Sequence, residues 1–294
     1  MGEGFRGGQR QVLLLLKELR EAGLESTLLA VPGSPLFTAA QAEGLDIRDG
    51  TLARTFSLSR QFEIAHAHDA RGHKLLAMAS RIPFVVSRRV AFPIGSSLLS
   101  RWKYRRPARF RAVSQFVAEQ LRSGGVPLNK IDVVYDAVAP ASMAEPWNAS
   151  FPAVALATTD PQKGRDLVEC AAQIAGIPMV FSENLAVDLR RASFFVYITR
   201  SEGLGSAALL AMAMGVPVIA SKVEGLAEVF EHGRSGLYTS NSAEEIAATM
   251  RMLLDDPTLA LRLVEEGKKR AELLFAPRQL LQGTIASYQK AMGQ

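Results

Sequence analysis

A chain of 294 residues, 48% hydrophobic and 21% charged with mean hydropathy near zero, has the composition of an ordinary globular protein, which excludes the disordered and fibrous classes. The length favours two domains of roughly 150 residues each. The net charge of +5 hides an asymmetry: residues 1–150 carry 20 Lys/Arg against 13 Asp/Glu, while residues 151–294 carry 14 against 16.

Short β-rich runs alternate with helical periodicity along the whole chain, the pattern of parallel α/β units. The chain opens on a glycine-rich turn, Gly2-Glu3-Gly4-Phe5-Arg6-Gly7-Gly8, that leads into a helix over Gln9–Ala22. A doubly wound sheet usually places a hydrophobic strand before such a turn, and that opening strand is expected to be missing. Val12–Leu16 runs straight into Lys17-Glu18-Leu19-Arg20, which reads as an amphipathic helix and not as a signal peptide. Strands are then predicted near Ser26–Val31, Phe62–His68, Phe84–Ser87, Arg111–Ser114 and Asp132–Tyr135. Helices are predicted near Lys74–Ser80, Ser96–Tyr104 and Gln115–Ser123, with Gly23 and Gly124-Gly125 as stops.

From Asp136 to Pro152 the pattern dissolves into Ala, Pro and Ser, which predicts a first domain over 1–138, a linker over 139–152 and a second domain over 153–294. The second domain has strands near Val154–Thr158, Met179–Ser182, Phe194–Thr199, Val216–Ser221 and Leu237–Thr239. Its helices fall near Gly164–Ala175, Ser206–Met214, Ala243–Leu254, Leu259–Phe275 and Arg278–Met292, the last expected to pack back on the first domain. Two doubly wound Rossmann-like domains facing across a cleft would bind ligands at the carboxyl ends of their strands. The apolar stretch Ala207–Ala220 is too short to span a bilayer and is broken by Gly215 and Pro217. The single Cys170, read as a packing residue, fits a reducing cytoplasm and excludes a cysteine-based metal site.

The glycine pair Gly7-Gly8 before a helix suits a phosphate, although a plain turn reads the same way. A longer signal is Ser201-Glu202-Gly203-Leu204-Gly205-Ser206 followed by the run to Met214 and by Gly215-Val216-Pro217. A strand ends, a glycine-punctuated loop exposes Glu202, and a helix starts at Ser206. This run closely resembles the donor-site motif of the retaining, nucleotide-sugar-dependent glycosyltransferases of family 4 (glycosyl transferases group 1), which have the GT-B fold. Further pieces follow in the family's order: Gly7-Gly8, Ile64-Ala65-His66-Ala67-His68, Val113-Ser114, Val133-Val134-Tyr135-Asp136-Ala137-Val138, Asp160-Pro161-Gln162-Lys163-Gly164 and Glu224-Gly225-Leu226-Ala227-Glu228-Val229.

The resemblance assigns Lys163 to the diphosphate of a sugar nucleotide, where a fixed ammonium stabilises the departing charge, so no metal and no further cofactor are expected. Alone, Lys163 would read as a solvated surface lysine. Glu202 matches the first glutamate of the family's paired motif, near the donor sugar, with Gly203, Leu204, Gly205 and Ser206 lining the donor site. Two departures stand out. The second glutamate, eight residues on, is Leu210, and the arginine expected five residues before Lys163 is Thr158, which leaves Arg165 and Arg200 as candidate substitutes.

His66 and His68, two apart at a strand end, point to the same side. That geometry also suits a metal, which is discounted for want of a third ligand at a convincing spacing. By the family pattern His68 sits near the reacting centre; the alternative is a satisfied strand-end histidine. Between Asp69 and Glu119 there are eleven Lys/Arg and no acidic residue. The segment with Arg101, Lys103, Arg105 and Arg106 among Leu98, Leu99, Trp102 and Tyr104 reads as an anionic-membrane contact, a phosphorylated-acceptor site or a solvated face. Nucleic acid has no motif to support it.

Taken together, these readings predict a cytoplasmic enzyme, peripheral at the inner membrane face, that moves a sugar from a nucleotide-diphosphate donor, with retention, to a lipid-linked or phosphorylated cell-envelope or lipopolysaccharide-type acceptor. The rival readings are a degenerate glycosyltransferase-like scaffold, favoured by Leu210, Thr158 and the missing strand, and a nicotinamide-dependent dehydrogenase, which Ala208 in place of a third glycine disfavours. Members of the resembled family are usually longer. The missing opening strand and the tight segment Ser182–Leu189 account for the difference, and a late start site or a truncated chain is expected.

Overall fold

The computed structural model describes residues 7–95, 97–138 and 142–294. The chain divides into two compact units, one made of residues up to 136 together with 277–294, the other of 137–276.

Unit one runs α1 (Gly7–Glu21), β1 (Leu28–Ala30), α2 (Pro35–Ala42), β2 (Ile47–Asp49), α3 (Leu52–Leu58), β3 (Ala65–Ala67) and α4 (Ala70–Ala79). It continues through β4 (Phe84–Arg88), α5 (Leu98–Arg105), β5 (Arg109–Ala112), α6 (Gln115–Ser123) and β6 (Ile131–Val133). Ser34, Thr51, Asp69, Ser97 and Ser114 cap α2 to α6, each side-chain oxygen accepting a backbone N–H three residues on. All strand pairs are parallel, and the strands fall into two sheets, β1-β2 and β3-β4-β5-β6. Among the described residues no strand precedes α1, and β1 is not hydrogen-bonded to β3. Val12 and Leu16 of α1 pack on Leu28 and Ala40.

Unit two runs β7 (Ala153–Leu156), α7 (Arg165–Ala175), β8 (Met179–Ser182), α8 (Leu185–Asp188), β9 (Phe195–Tyr197), α9 (Ser206–Met214), β10 (Val218–Ser221), β11 (Leu237–Thr239), α10 (Ala243–Asp255) and α11 (Pro257–Leu274). Its parallel sheet has the order β11-β10-β9-β7-β8. A single core joins Val196, Ile198 and Ile219 of the sheet region to Val168 of α7, Ile246 and Met250 of α10 and Leu263 of α11. The last helix, α12 (Pro277–Met292), belongs to unit one, where it packs against α1, β4 and β5.

Three sequence expectations change. The segment 33–60 contains α2, β2 and α3, which the periodicity did not reveal because each is short and mostly solvent-facing. The expected linker is not free of structure where it is described, since residues 142–152 are tied into unit two. Ala144 N donates to Met214 O at 2.9 Å, Glu145 N to Arg190 O at 2.8 Å, and the Trp147 indole to Ser193 O at 2.7 Å. Residues 139–141 of that linker lie outside the described residues, as do Gly2 and Gly4 of the opening turn and Ser96. Cys170 is exposed on α7 and does not pack.

Candidate functional site

In unit two, β7 and β9 lie side by side, yet the chain leaves β7 for β8 on one flank and leaves β9 for β10 on the other. Loops after two such strands diverge and open a crevice at their carboxyl ends, the usual ligand position in doubly wound sheets. Lys163 follows β7 and Glu202 follows β9, so topology brings both to this crevice.

Lys163 Nζ donates to Glu202 Oε2 at 2.7 Å and to the Tyr197 hydroxyl at 3.0 Å, while that hydroxyl itself donates to Glu202 Oε2. The Gly203 N–H donates to Glu202 Oε1 at 3.0 Å. Burial pushes the Glu202 carboxyl up, but the Lys163 ammonium and the hydrogen bonds from Lys163, Tyr197 and Gly203 outweigh it, so the carboxyl titrates below its ordinary value. Burial and then the Glu202 charge push Tyr197 well above the ordinary phenol value, which leaves it a neutral donor at physiological pH. An ammonium carries three N–H groups. Two are used here, and the third has no acceptor among the described residues.

The loops are held at both ends. Thr199 N donates to Ser221 Oγ at 2.8 Å, Ser221 Oγ donates to Asn241 Oδ1 at 2.6 Å, and Arg200 N reaches Gln162 O at 2.9 Å, tying the Glu202 loop to the Lys163 loop. Gly205 has φ of 103°, where a side chain would also meet Leu226 and Tyr197. With glycine there, α9 has no side-chain cap, and its leading N–H groups stay open beside Lys163's loop. Gly225 lets its loop rest on the Glu202 and Gly203 backbone, since a Cβ would come within 2.7 Å of the Gly203 carbonyl carbon and closer still to Glu202 O. A cation, a carboxylate and an open helix N-terminus can together receive a diphosphate and hold hydroxyl groups.

The other donor-side residues sort as follows. Gly203 and Leu204 are buried and Ser206 is exposed at the start of α9. Thr158 Oγ1 accepts from Asp160 N at 3.1 Å and shapes the turn before Lys163. Arg165 pairs with Glu169 at 2.7 Å and lies over the Phe181 ring, so it is engaged elsewhere; Arg200 is exposed. Leu210 is half-buried on α9. Tyr197 escaped the sequence reading because it hides in the buried apolar run Phe194–Ile198. A polar-tipped aromatic at a strand end was the available signal, since a buried tyrosine hydroxyl needs a partner.

Gly7, Gly8 and His68 belong to unit one. The glycine pair forms the first turn of α1 and does not precede it. His66 and His68 do share a side, with ring centroids 3.9 Å apart. Both nitrogens of His66 are occupied, Nδ1 by the Tyr288 hydroxyl at 2.8 Å and Nε2 by Ser87 Oγ at 2.9 Å. Burial, followed by the neighbouring positive charges of Arg89 and Arg111, holds His68 well below its ordinary value, and burial does the same for His66. Both are neutral imidazoles. Among the described residues no group of three or more His, Cys, Asp or Glu is placed to hold a metal ion.

The basic stretch is less uniform than its sequence. Arg111 is fully buried, Arg106 Nε donates to Ala77 O at 3.1 Å, and Lys103 lies over the Tyr104 ring. Arg101 and Arg105 are exposed on α5, beside Leu98, Leu99 and Trp102, while Tyr104 turns inward to accept from Arg88 and stack on Phe110. No helix among the described residues is long and apolar enough to cross a membrane.

Two family models match the chain, one described as Glycosyltransferase Family 4 over residues 5–142 and one as Glycosyl transferases group 1 over residues 172–270. The MMP alpha-(1->4)-mannosyltransferase of Mycolicibacterium hassiacum is 34% identical over 116 residues, covering 38% of this chain and 28% of that protein. The D-inositol 3-phosphate glycosyltransferase of Rhodococcus erythropolis is 34% identical over 122 residues, 41% of this chain and 27% of that protein. The matched stretch thus spans about a quarter of these relatives' lengths. Among solved structures, Anabaena HepE in complex with UDP and glucose superposes with a TM-score of 0.79 at 15% identity, over 97% of this chain and 96% of that one. The apo form of the lipopolysaccharide outer core galactosyltransferase WaaB does so with a TM-score of 0.65 at 14% identity, over 97% and 96%. The fold is therefore the α/β fold with parallel sheets of these proteins.

Proposed function

Since this chain belongs to the GT-B glycosyltransferases of the group 1 and family 4 kind, we propose that it transfers a sugar from a nucleoside-diphosphate donor held on unit two to an acceptor received by unit one. The observation that carries this reading is the cluster of Lys163, Glu202 and Tyr197 beside the open N-terminus of α9. Lys163 meets the charge that grows on the leaving diphosphate as the glycosidic bond breaks, a task this reading gives to the ammonium rather than to a metal. Glu202, ionised and oriented by three donors, faces the donor sugar and its developing positive charge. Retention follows from same-face attack in which the leaving phosphate takes the acceptor's proton. By the family pattern His68, at the carboxyl end of β3, serves the acceptor side.

For the acceptor, we favour a lipid-linked or phosphate-bearing envelope glycan, with the enzyme peripheral at the inner membrane face. The exposed apolar and basic residues of α5 support it, as does the likeness to a D-inositol 3-phosphate glycosyltransferase. The test is mass-spectrometric detection of nucleotide release from a panel of sugar nucleotides with envelope extracts. Turnover lost in Lys163→Ala supports the reading, and turnover unaffected by that change overturns it. Leu210 favours a second reading, a scaffold without turnover, for which calorimetry would find no sugar nucleotide bound.

A further inference from the structure

The three side chains of the Lys163, Glu202 and Tyr197 cluster are not mounted alike. Lys163 and Glu202 stand on loops, whereas Tyr197 ends β9, an inner strand of the sheet, in register with Ala220 of β10. Its ring stacks on Phe195 with centroids 5.8 Å apart, and Gly205 closes on the ring edge, since a Cβ there would sit 3.5 Å from Tyr197 Cε1. The residue is buried, and its hydroxyl accepts from Lys163 Nζ at 3.0 Å while donating its own proton to Glu202 Oε2. A hydroxyl has one proton and two lone pairs, so it serves both loop groups at once. A side chain locked by packing on a strand gives the two loops a common fixed point.

Packing alone does not require a tyrosine here. Phe195, Val196 and Ile198 beside it are buried and apolar, and a phenylalanine would fill nearly the same volume. The hydroxyl matters once a donor arrives. Burial works against the ionised form of Glu202; the charge and hydrogen bond of Lys163 lead the groups that hold it, followed by Tyr197 and Gly203. A diphosphate at Lys163 adds negative charge beside the same ammonium and repels the carboxylate, and both effects favour its protonation. The bond from Tyr197 does not depend on the ammonium. Burial, followed by the Glu202 charge, keeps this phenol protonated, so the donor persists. The charged groups acting on the pair are Lys163 and Asp160, both on the loop after β7, while the Gly225 loop meets Glu202 through backbone.

We propose that Tyr197 is a positioning residue of the donor site, whose hydroxyl keeps Glu202 ionised and aimed while Lys163 is engaged by a diphosphate. Its place in turnover rests on the transferase reading; its hold on Glu202 does not.

The experiment is a pH titration of the Glu202 carboxyl by carbon NMR, in the full chain labelled at its glutamate carboxyls, with Glu202→Gln identifying the signal. Wild type, Tyr197→Phe, Lys163→Met and the Lys163→Met, Tyr197→Phe double variant are compared, and circular dichroism checks each fold. Lys163→Met stands in for an ammonium taken up by phosphate. The proposal expects the carboxyl of the double variant to titrate at least about one pH unit above that of Lys163→Met, a tenfold change in proton affinity. In turnover assays with the donor panel, Tyr197→Phe should move the acid limb of the kcat profile to higher pH by a similar interval and leave the donor KM within about twofold. A tyrosine with a packing role alone would change stability but leave the titration and the acid limb in place, and that result overturns the proposal. A wild type without turnover on any donor removes the transferase reading, and the NMR titration then decides whether Tyr197 holds Glu202. If the double variant does not fold, Tyr197→Phe against wild type decides by the presence or absence of the same upward shift.

Discussion

Lys163 Nζ and Glu202 Oε2, 39 residues apart in the chain, lie 2.7 Å from each other because β7 and β9 are neighbours whose following loops meet at one crevice. The side chains are 24% and 20% exposed, so solvent screens the pair only partly. A double-mutant cycle of Lys163→Met and Glu202→Gln, read by urea denaturation, should give a coupling of about 1–2 kcal/mol. Because the folded Glu202 titrates below its ordinary value of 4.5, its contribution is present above that pH and is lost as pH falls further through the lowered value. A coupling near zero at pH 7 would mean that the two side chains are independent.

Gly225 offers a test of the same crevice from outside its charged groups. A methyl there collides with the backbone of Glu202 and Gly203, not with the far end of a flexible side chain. The backbone that carries the carboxylate must therefore move. Misplacement of about 1 Å at a reacting centre costs on the order of 100-fold in rate. Gly225→Ala is expected to lower kcat by that order while circular dichroism stays native, and a variant with wild-type kcat would show that Glu202 is not positioned by this loop.

Much of unit two was legible from glycine and periodicity. Gly205 and Gly215 bracket α9, and the strands over Met179–Ser182 and Leu237–Thr239 have the predicted bounds, because β-branched and aromatic residues between glycine- and serine-rich turns mark short strands even at the sheet edge. Lys163 and Glu202 were legible through the loops that carry them. What stayed hidden depends on partners distant in sequence. Tyr197 reads as one more core aromatic until Lys163 and Glu202 are seen at its hydroxyl. Arg111 reads as part of a basic surface, since charge patterning does not tell which face of β5 is covered by α12. Trp147 sits in a segment whose prolines and alanines suggest a linker, yet its indole is fixed to Ser193.

His73 ties stability to pH. It is buried among Phe84, Tyr104 and Phe110, with Nε2 donating to Lys103 O at 3.1 Å. Burial lowers its pKa from 6.5 to about 4, against the opposing effect of that hydrogen bond. Between those two values the unfolded chain binds a proton that the folded chain does not, so stability falls as pH drops across the window and is unaffected by His73 above it. The loss at pH 4.5 is about 2–3 kcal/mol at 1.36 kcal/mol for each pH unit. His73→Gln, which keeps a donor for Lys103 O, should narrow the gap between urea midpoints at pH 7 and pH 4.5, and an unchanged gap would place the acid sensitivity elsewhere.

Leu210 marks the departure most open to repair. It is half-buried on α9, four residues past the first, within reach of the positive end of that helix. A carboxylate there could accept hydrogen bonds from a ribose diol, each worth about 1.5–3 kcal/mol before the cost of ordering the side chain. Leu210→Glu is expected to tighten the preferred nucleoside diphosphate by about tenfold, the equivalent of 1.4 kcal/mol. Calorimetry across the common bases would reveal this as one Kd that falls. If every Kd stays the same, the ribose does not reach Leu210.

The surface of α5 yields the last expectation. Leu98 and Leu99, adjacent at the start of α5, are 83% and 69% exposed, with Trp102 one turn on at 43%, an apolar group that a solvated helix face rarely displays. Arg101 and Arg105 flank it, and none of the eleven Lys/Arg between Asp69 and Glu119 has an acidic neighbour in the sequence between them. Apolar side chains ringed by arginines suit the boundary of an anionic bilayer, where each basic residue contributes about 1 kcal/mol. Arg101→Glu with Arg105→Glu replaces two attractions by two repulsions, so binding to vesicles containing phosphatidylserine should fall by at least about 30-fold. The wild type should also lose binding as salt rises, because charges at a surface are screened beyond roughly 10 Å at 0.1 M. Equal binding of wild type and double variant, or equal binding to zwitterionic vesicles, would reduce α5 to a solvated face.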